Sequence, residues 1–192
     1  MFTAVLDTCV LWPSLQRDFL LSLAVEGMYR PVWSSVILDE LEYHEAVKLV
    51  SRGEEQVTAN QRASRLVDRM RAAFDDAEVR GWEPLDGTFG LPDPNDEHVL
   101  AAAVVAGAGA VVTANVKDFP ASRLPLGIEV LPPSEFAANT VALDPVRAAN
   151  ALSAIAQRSG KRGPERTVDQ VLDALVSRYH MDQVAAIFRG VR

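Results

Sequence analysis

A single cysteine, Cys9, occurs in 192 residues, so no intrachain disulfide can form and the chain is not a small disulfide-stapled fold. The three histidines, His44, His98 and His180, are scattered and lack cysteine partners, which excludes the usual zinc spacings. Long hydrophobic runs are missing as well. The longest, residues 99–112, is interrupted by Gly107 and Gly109, and it falls short of the roughly 20 apolar residues that a membrane-spanning helix needs. Basic charge is sparse, with 19 Lys and Arg against 26 Asp and Glu and a net charge of −7. That balance argues against a generic nucleic-acid-coating surface, but not against a nuclease, because a metal site needs acids and neutralises them when loaded. The first basic residue is Arg17, so the amino end lacks the positive region of a signal peptide. A soluble, cytoplasmic protein with no membrane partner is the expectation.

What is present is ordinary globular material. Hydrophobic residues make up 48% and charged residues 23%, enough for one α/β domain with a small appendage. Residues 2–6 (FTAVL) read as a buried strand ending at Asp7. Helical periods follow over residues 15–26 and 35–50, with a short strand or turn at residues 30–33 between them. A long charged helix is expected over residues 54–78. Next come a helix near residues 95–106, a strand at 110–113 and an apolar run at 128–131. Strands alternating with helices in this way give a parallel sheet covered by helices. Beyond Pro133 only helices are expected, near residues 134–138, 144–158, 167–179 and 181–189, with a basic loop carrying Lys161, Arg162 and Arg166.

Four acids stand at element ends or on helical stripes. Asp7 closes the first strand, where α/β proteins place ligands; it would equally cap the next turn. Glu40 recurs with Val36, Tyr43, Val47 and Val50 at helical spacing, which places it on an apolar stripe facing inward. A buried carboxylate is costly unless paired or metal-bound. Asp96 shares a face with Val99, Leu100 and Ala103, leaving Asp93 or Asn95 to cap the helix. Asp118 and Asn115 follow the later strand, and both are also common turn residues. Carboxylates converging from four elements would repel one another without a cation. An all-oxygen donor set suits Mg²⁺ (or Mn²⁺) rather than zinc.

Leu6-Asp7-Thr8, Glu40, Asp96-Glu-His-Val-Leu-Ala-Ala-Ala and Val112-Thr-Ala-Asn-Val-Lys-Asp-Phe119 together resemble the PIN-domain family, of the VapC-like ribonuclease type. The resemblance covers residues 1–135, a PIN-like nuclease domain, and leaves residues 136–192 as a helical C-terminal extension. It implies a three-layer α/β fold with a central parallel sheet of about 4–5 strands flanked by helices. It implies an acidic cluster of Asp7, Glu40, Asp96 and Asp118 holding Mg²⁺ or Mn²⁺, with Thr8, Thr113 and Asn115 as supporting hydrogen-bond partners and Asp93 as an extra acid. Cys9 departs from the pattern, standing where such proteins often carry Ser or Asn. The implied activity is RNA hydrolysis to 5′-phosphate and 3′-hydroxyl ends, as the toxin of a type II toxin–antitoxin pair. An antitoxin partner and a homodimer follow from the same resemblance.

Substrate grip must come from elsewhere on so acidic a chain. Arg62, Arg65 and Arg69 form one helical stripe that would reach phosphates; the plainer reading is a solvated face paired with Asp68, Asp75 and Asp76. Lys161, Arg162 and Arg166 are a second such group. Two rival functions remain: a housekeeping RNA-processing nuclease without an antitoxin, and a non-enzymatic α/β regulatory domain whose acids are caps and turn residues. A phosphoacceptor receiver would need a second acid beside Asp7. A haloacid-dehalogenase-type phosphatase would need Asp at position 9, which is cysteine.

Overall fold

A computed structural model describes residues 1–160 and 164–190. Lys161 and Arg162 of the expected basic loop lie outside these residues. Four parallel strands form one sheet in the order β2-β1-β3-β4, with β1 Thr3–Leu6, β2 Arg30–Val32, β3 Ala110–Val112 and β4 Glu129–Leu131. β1 is fully sandwiched: Val5 stands beside Val32 on one side and Val111 on the other. Its residues Ala4, Val5 and Leu6 are completely buried, the continuous apolar run that a strand covered on both faces requires. β2 carries Pro31, which cannot donate to a ladder and is tolerated on this outer strand. Beyond β2 the sheet is extended by a single bridge between Trp33 and Glu78.

The helices are α1 Thr8–Leu11, α2 Ser14–Val25, α3 Ser35–Ser51, α4 Gln56–Ala73, α5 Glu97–Ala106, α6 Pro133–Leu143, α7 Pro145–Arg158, α8 Val168–Tyr179 and α9 Asp182–Gly190. Helix α5 is apolar nearly all round and buried from Glu97 to Ala103; it packs across β1, β2 and β3. It stops at Gly107, whose left-handed backbone (φ 61°) closes the last turn. At Gly109 a side chain would strike the Phe2 ring, with a Cβ 2.6 Å from the ring edge. Helices α3 and α4 form an antiparallel pair. Helix α4 ends at Ala73, short of the expected residue 78, because the chain turns there to reach the Trp33–Glu78 bridge.

Helices α6–α9 share the core of the sheet. Phe136, Val141, Leu152, Leu172 and Phe188 belong to the same buried cluster as β1 and β3. Tyr29 meets Phe136 edge to face at 4.8 Å. Asp144 caps α7 through the Arg147 backbone N–H, and Thr167 and Gln170 form a reciprocal capping box on α8. Among the described residues no helix is long and apolar enough to cross a membrane. Because the core is continuous, Phe136→Ala is expected to destabilise the whole chain by about 3–5 kcal/mol. Urea denaturation should show one transition shifted to lower denaturant; a separate early transition would mean that the carboxyl-terminal helices unfold on their own.

Candidate functional site

The strand order sets the place of the site. The chain leaves β1 toward β2 on one side and returns to β3 on the other, so the carboxyl ends of β1 and β3 flank the switch point where open α/β sheets bind ligands. Asp7 follows β1 and Thr113 follows β3. The Asp7 backbone N–H continues the ladder to the Val112 carbonyl at 3.1 Å, and Thr113 N–H does the same to Leu131 at 3.0 Å. The two side chains meet, with the Thr113 hydroxyl donating to Asp7 Oδ2 at 2.7 Å. Asp7 Oδ1 accepts from the Thr8 backbone N–H at 2.6 Å and so caps α1. Asp7 therefore fills both roles open to it, a helix cap and an acid at the ligand crevice.

Cys9 is part of this arrangement. Its thiol donates to Asp7 Oδ2 at 3.1 Å, lies 3.4 Å from the Thr113 hydroxyl and accepts from the Ala114 backbone N–H at 3.2 Å. Burial, and then the Asp7 charge, push the thiol up to about 12, so it stays protonated and keeps donating. Thr8 serves a different acid: its hydroxyl donates to Glu40 Oε2 at 2.5 Å. Asn115 contributes through its backbone N–H, which donates to the Thr113 hydroxyl at 3.0 Å; its side chain is exposed.

The route by which Glu40 reaches the site differs from the expected one. The stripe Val36, Glu40, Tyr43, Val47, Val50 faces outward: Tyr43 is 66% and Val47 49% exposed. The core face of α3 is instead Ile37, Leu38, Leu41, Ala46 and Leu49. Apolar residues occur on both faces of this helix, and the wider aliphatic arc won the core. Glu40 sits at the edge, with its side chain 40% exposed and its carboxylate turned toward Thr8 and His98.

Asp96 stands at the N-cap position of α5 without making a side-chain capping bond. Asp93 caps the preceding turn, Pro94–Asp96, by accepting from the Asn95 backbone N–H at 2.9 Å. Burial pushes the Asp96 carboxyl up to about 7, assisted by the charges of Asp7, Asp93, Asp118 and Glu40 in that order. The fold thus brings the other four acids within electrostatic reach of Asp96. None of the five is ion-paired to a lysine or arginine among the described residues. In charge and oxygen chemistry the set fits a hard divalent ion. The side chains do not form a closed ligand shell, since no three His, Cys, Asp or Glu among the described residues stand close enough to hold a metal between them.

His98 belongs here although its sequence position gave no signal. Its Nδ1 lies 2.9 Å from the Ser34 hydroxyl and its Nε2 lies 4.0 Å from Glu40 Oε1. Burial lowers its pKa against the opposing pull of Glu40, Asp7 and Asp86, which favours the neutral ring. The Ser34 oxygen also accepts from Ile37 N–H at 3.2 Å, which ties the imidazole to the start of α3 and leaves Nε2 facing the Glu40 carboxylate. Glu97, by contrast, is structural: it is buried and accepts from the Phe89 and Leu91 backbone N–H groups at 2.9 and 2.6 Å.

A model of the PIN domain matches residues 3–117. The chain belongs to the PIN-domain family. Neither the curated proteins nor the solved structures gave a match. PIN domains are generally nucleases that use divalent metal ions. The matched span contains Asp7, Glu40, Asp93 and Asp96 and stops one residue before Asp118.

The arginine stripe lies apart from the carboxylates. Arg62, Arg65 and Arg69 line a cavity of about 640 Å³ together with Arg17, Glu45 and Asp68. Arg62 pairs with Glu54 rather than with the expected aspartates, and Asp76 is taken by Arg30 at 2.7 Å.

Two outcomes test this geometry. Burial first, and its acidic neighbours second, oppose charging of Asp96, so the penalty is complete above pH 7 and fades as the pH falls from 7 toward 4. Asp96→Asn should therefore raise the melting temperature of metal-free protein at pH 8 by roughly 2–4 °C, after allowance for solvent screening, and by less at pH 5. A gain independent of pH would show that the cost of charging Asp96 is not the cause. Thr113→Val should cost about 1–3 kcal/mol in urea unfolding by leaving the buried Asp7 carboxylate short of a donor, with Thr113→Ser close to wild type.

Proposed function

We propose that this PIN domain is a Mg²⁺- or Mn²⁺-dependent endoribonuclease leaving 5′-phosphate and 3′-hydroxyl ends. The observation that carries the reading is that Asp7, Glu40, Asp93 and Asp118 lie within electrostatic reach of Asp96 beside the β1/β3 switch point, with no lysine or arginine ion-paired to any of the five among the described residues. Asp7, Asp96, Asp118 and Glu40 would hold the ion, with Asp93 at the margin. A divalent ion bound there supplies positive charge at the scissile phosphate and makes water a stronger acid.

The chain's own residues prepare that site. Thr113 and Cys9 fix one Asp7 oxygen and the Thr8 backbone fixes the other. Thr8 and His98 approach different oxygens of Glu40. Asp96 gives up its proton as positive charge enters, so metal affinity should rise with pH through neutrality. No protein nucleophile is called on; water is the attacking group.

We further place the chain as the toxin of a toxin–antitoxin pair, cytoplasmic and acting as a homodimer. The exposed Tyr43 and Val47 support a protein partner, because they continue from Glu40 along one stripe of α3 and leave apolar surface open beside the site. An inhibitor segment covering them would abut the carboxylates.

The test is cleavage of total RNA with Mn²⁺ or Mg²⁺ and mapping of the ends. Wild type should cut and stop on chelation, and Asp7→Asn should lose at least about a hundredfold, since disturbing even the groups that orient metal ligands costs 10–100-fold. Cleavage that persists in EDTA or in Asp7→Asn would refute the metal-nuclease reading. For the toxin, induced wild type should arrest growth while Asp7→Asn is harmless; equal tolerance of both would count against it.

A further inference from the structure

A groove of about 560 Å³ lies where α3 ends against the end of α8. Trp12, Lys48, Arg52, Arg166, Arg178 and Tyr179 line it, and no carboxylate does. On a chain of net charge −7 this is a cluster of four cations, although Arg166 and Arg178 also line an adjoining pocket that holds Glu165 and Asp173. Lys48 pairs with Glu45, but Arg52, Arg166 and Arg178 make no ion pair among the described residues. The cavity beside Arg62 and Arg69 differs, because Glu45 and Asp68 line it and Arg62 is held by Glu54.

The groove is connected to the carboxylate site by two helices. Asp7 caps α1, and Trp12 ends it only five residues later. On α3, Glu40, His44, Lys48 and Arg52 recur every fourth residue, a row about 18 Å long. Trp12 Nε1 donates to the His44 carbonyl at 3.3 Å and ties the two helices together. Aromatic rings fill the middle of the row: Trp12 is 42% exposed, meets His44 edge-on and has Lys48 Nζ 5.8 Å from its ring centroid, and His44 also meets Tyr43 edge-on. Acids at one end, rings in the middle and cations at the far end match what an unpaired strand needs, which is phosphate contacts and faces for bases to stack on.

We propose that this groove binds single-stranded RNA and leads it to the carboxylate site. The inference rests on the nuclease reading for its substrate. It gives the carboxyl-terminal helices a task, since Arg166, Arg178 and Tyr179 all lie beyond the matched residues 3–117. Duplex RNA fits less well, because its bases are stacked on each other and unavailable to Trp12.

The test is fluorescence anisotropy of full-length protein with a labelled oligouridine of about 12 nucleotides, in EDTA so that metal-dependent cutting is suppressed. Arg52→Gln with Arg178→Gln, both exposed and unpaired, should weaken binding about tenfold and lower the salt slope by about 1.4, the share of two phosphate contacts. Trp12→Ala should weaken binding at least about fivefold, with Trp12→Phe restoring most of it. Arg147→Gln, remote from the groove, should bind like wild type. Groove variants with unchanged affinity and salt slope would overturn the proposal. So would failure of wild type to bind oligouridine while a labelled polyglutamate binds and is lost in Arg178→Gln; that result would assign the groove to an acidic protein segment. Groove-dependent RNA binding with no Mn²⁺ cleavage would sustain this inference and remove the nuclease reading. Cleavage with groove variants that bind normally would do the reverse.

Discussion

The hydrogen bond from the Thr113 hydroxyl to Asp7 is the contact on which the site depends. It joins the carboxyl ends of β1 and β3 at the point where the strand order reverses. Asp7 is buried, and a carboxylate out of water must have its oxygens filled. Three short-range partners fill them: a threonine hydroxyl, a thiol and a backbone N–H that is also the first donor of α1. One carboxylate thus fixes the end of a strand, the start of a helix and the edge of the crevice. The cysteine fits because burial beside a negative charge keeps it a thiol; a thiolate there would add to the repulsion.

Around that fixed point the fold tolerates a local conflict. Four carboxylates surround Asp96 with no lysine or arginine paired to any of the five among the described residues, and burial together with their charges lets Asp96 hold its proton up to neutrality. Natural chains keep such conflicts where a ligand resolves them and spend core packing elsewhere to offset them. Here the offset comes from a core that runs unbroken from β1 into α9.

Much of this was legible in the sequence, for identifiable reasons. β1 and α5 are apolar on nearly every side, which only deep burial explains, and the acids at their ends had to lie at the sheet edge. The helical C-terminal region was legible from its caps, Asp144 and Thr167 among them. Glu40 was the instructive failure. Its helix has apolar residues on two faces, and periodicity alone cannot say which face meets the core. His98 was illegible for a different reason: it acts through Ser34, 64 residues away, and that contact leaves no local trace. Cys9 showed only as a departure from the family pattern, because its bond to Asp7 is joined by a contact with Thr113, 104 residues away, that only the fold creates.

The long reach of the Asp7–Thr113 bond also orders events in time. The two residues are 106 positions apart, so at synthesis rates of about 5–20 residues per second Asp7 leaves the ribosome's peptidyl-transferase centre roughly 5–20 s before its partner is made. During that interval β1 has only β2 beside it, and the strand that completes the crevice does not yet exist. Asp96 arrives near the end of the same interval and Asp118 just after it. A nascent chain therefore cannot assemble the carboxylate cluster early, and its chemistry is withheld until most of the polypeptide has been built.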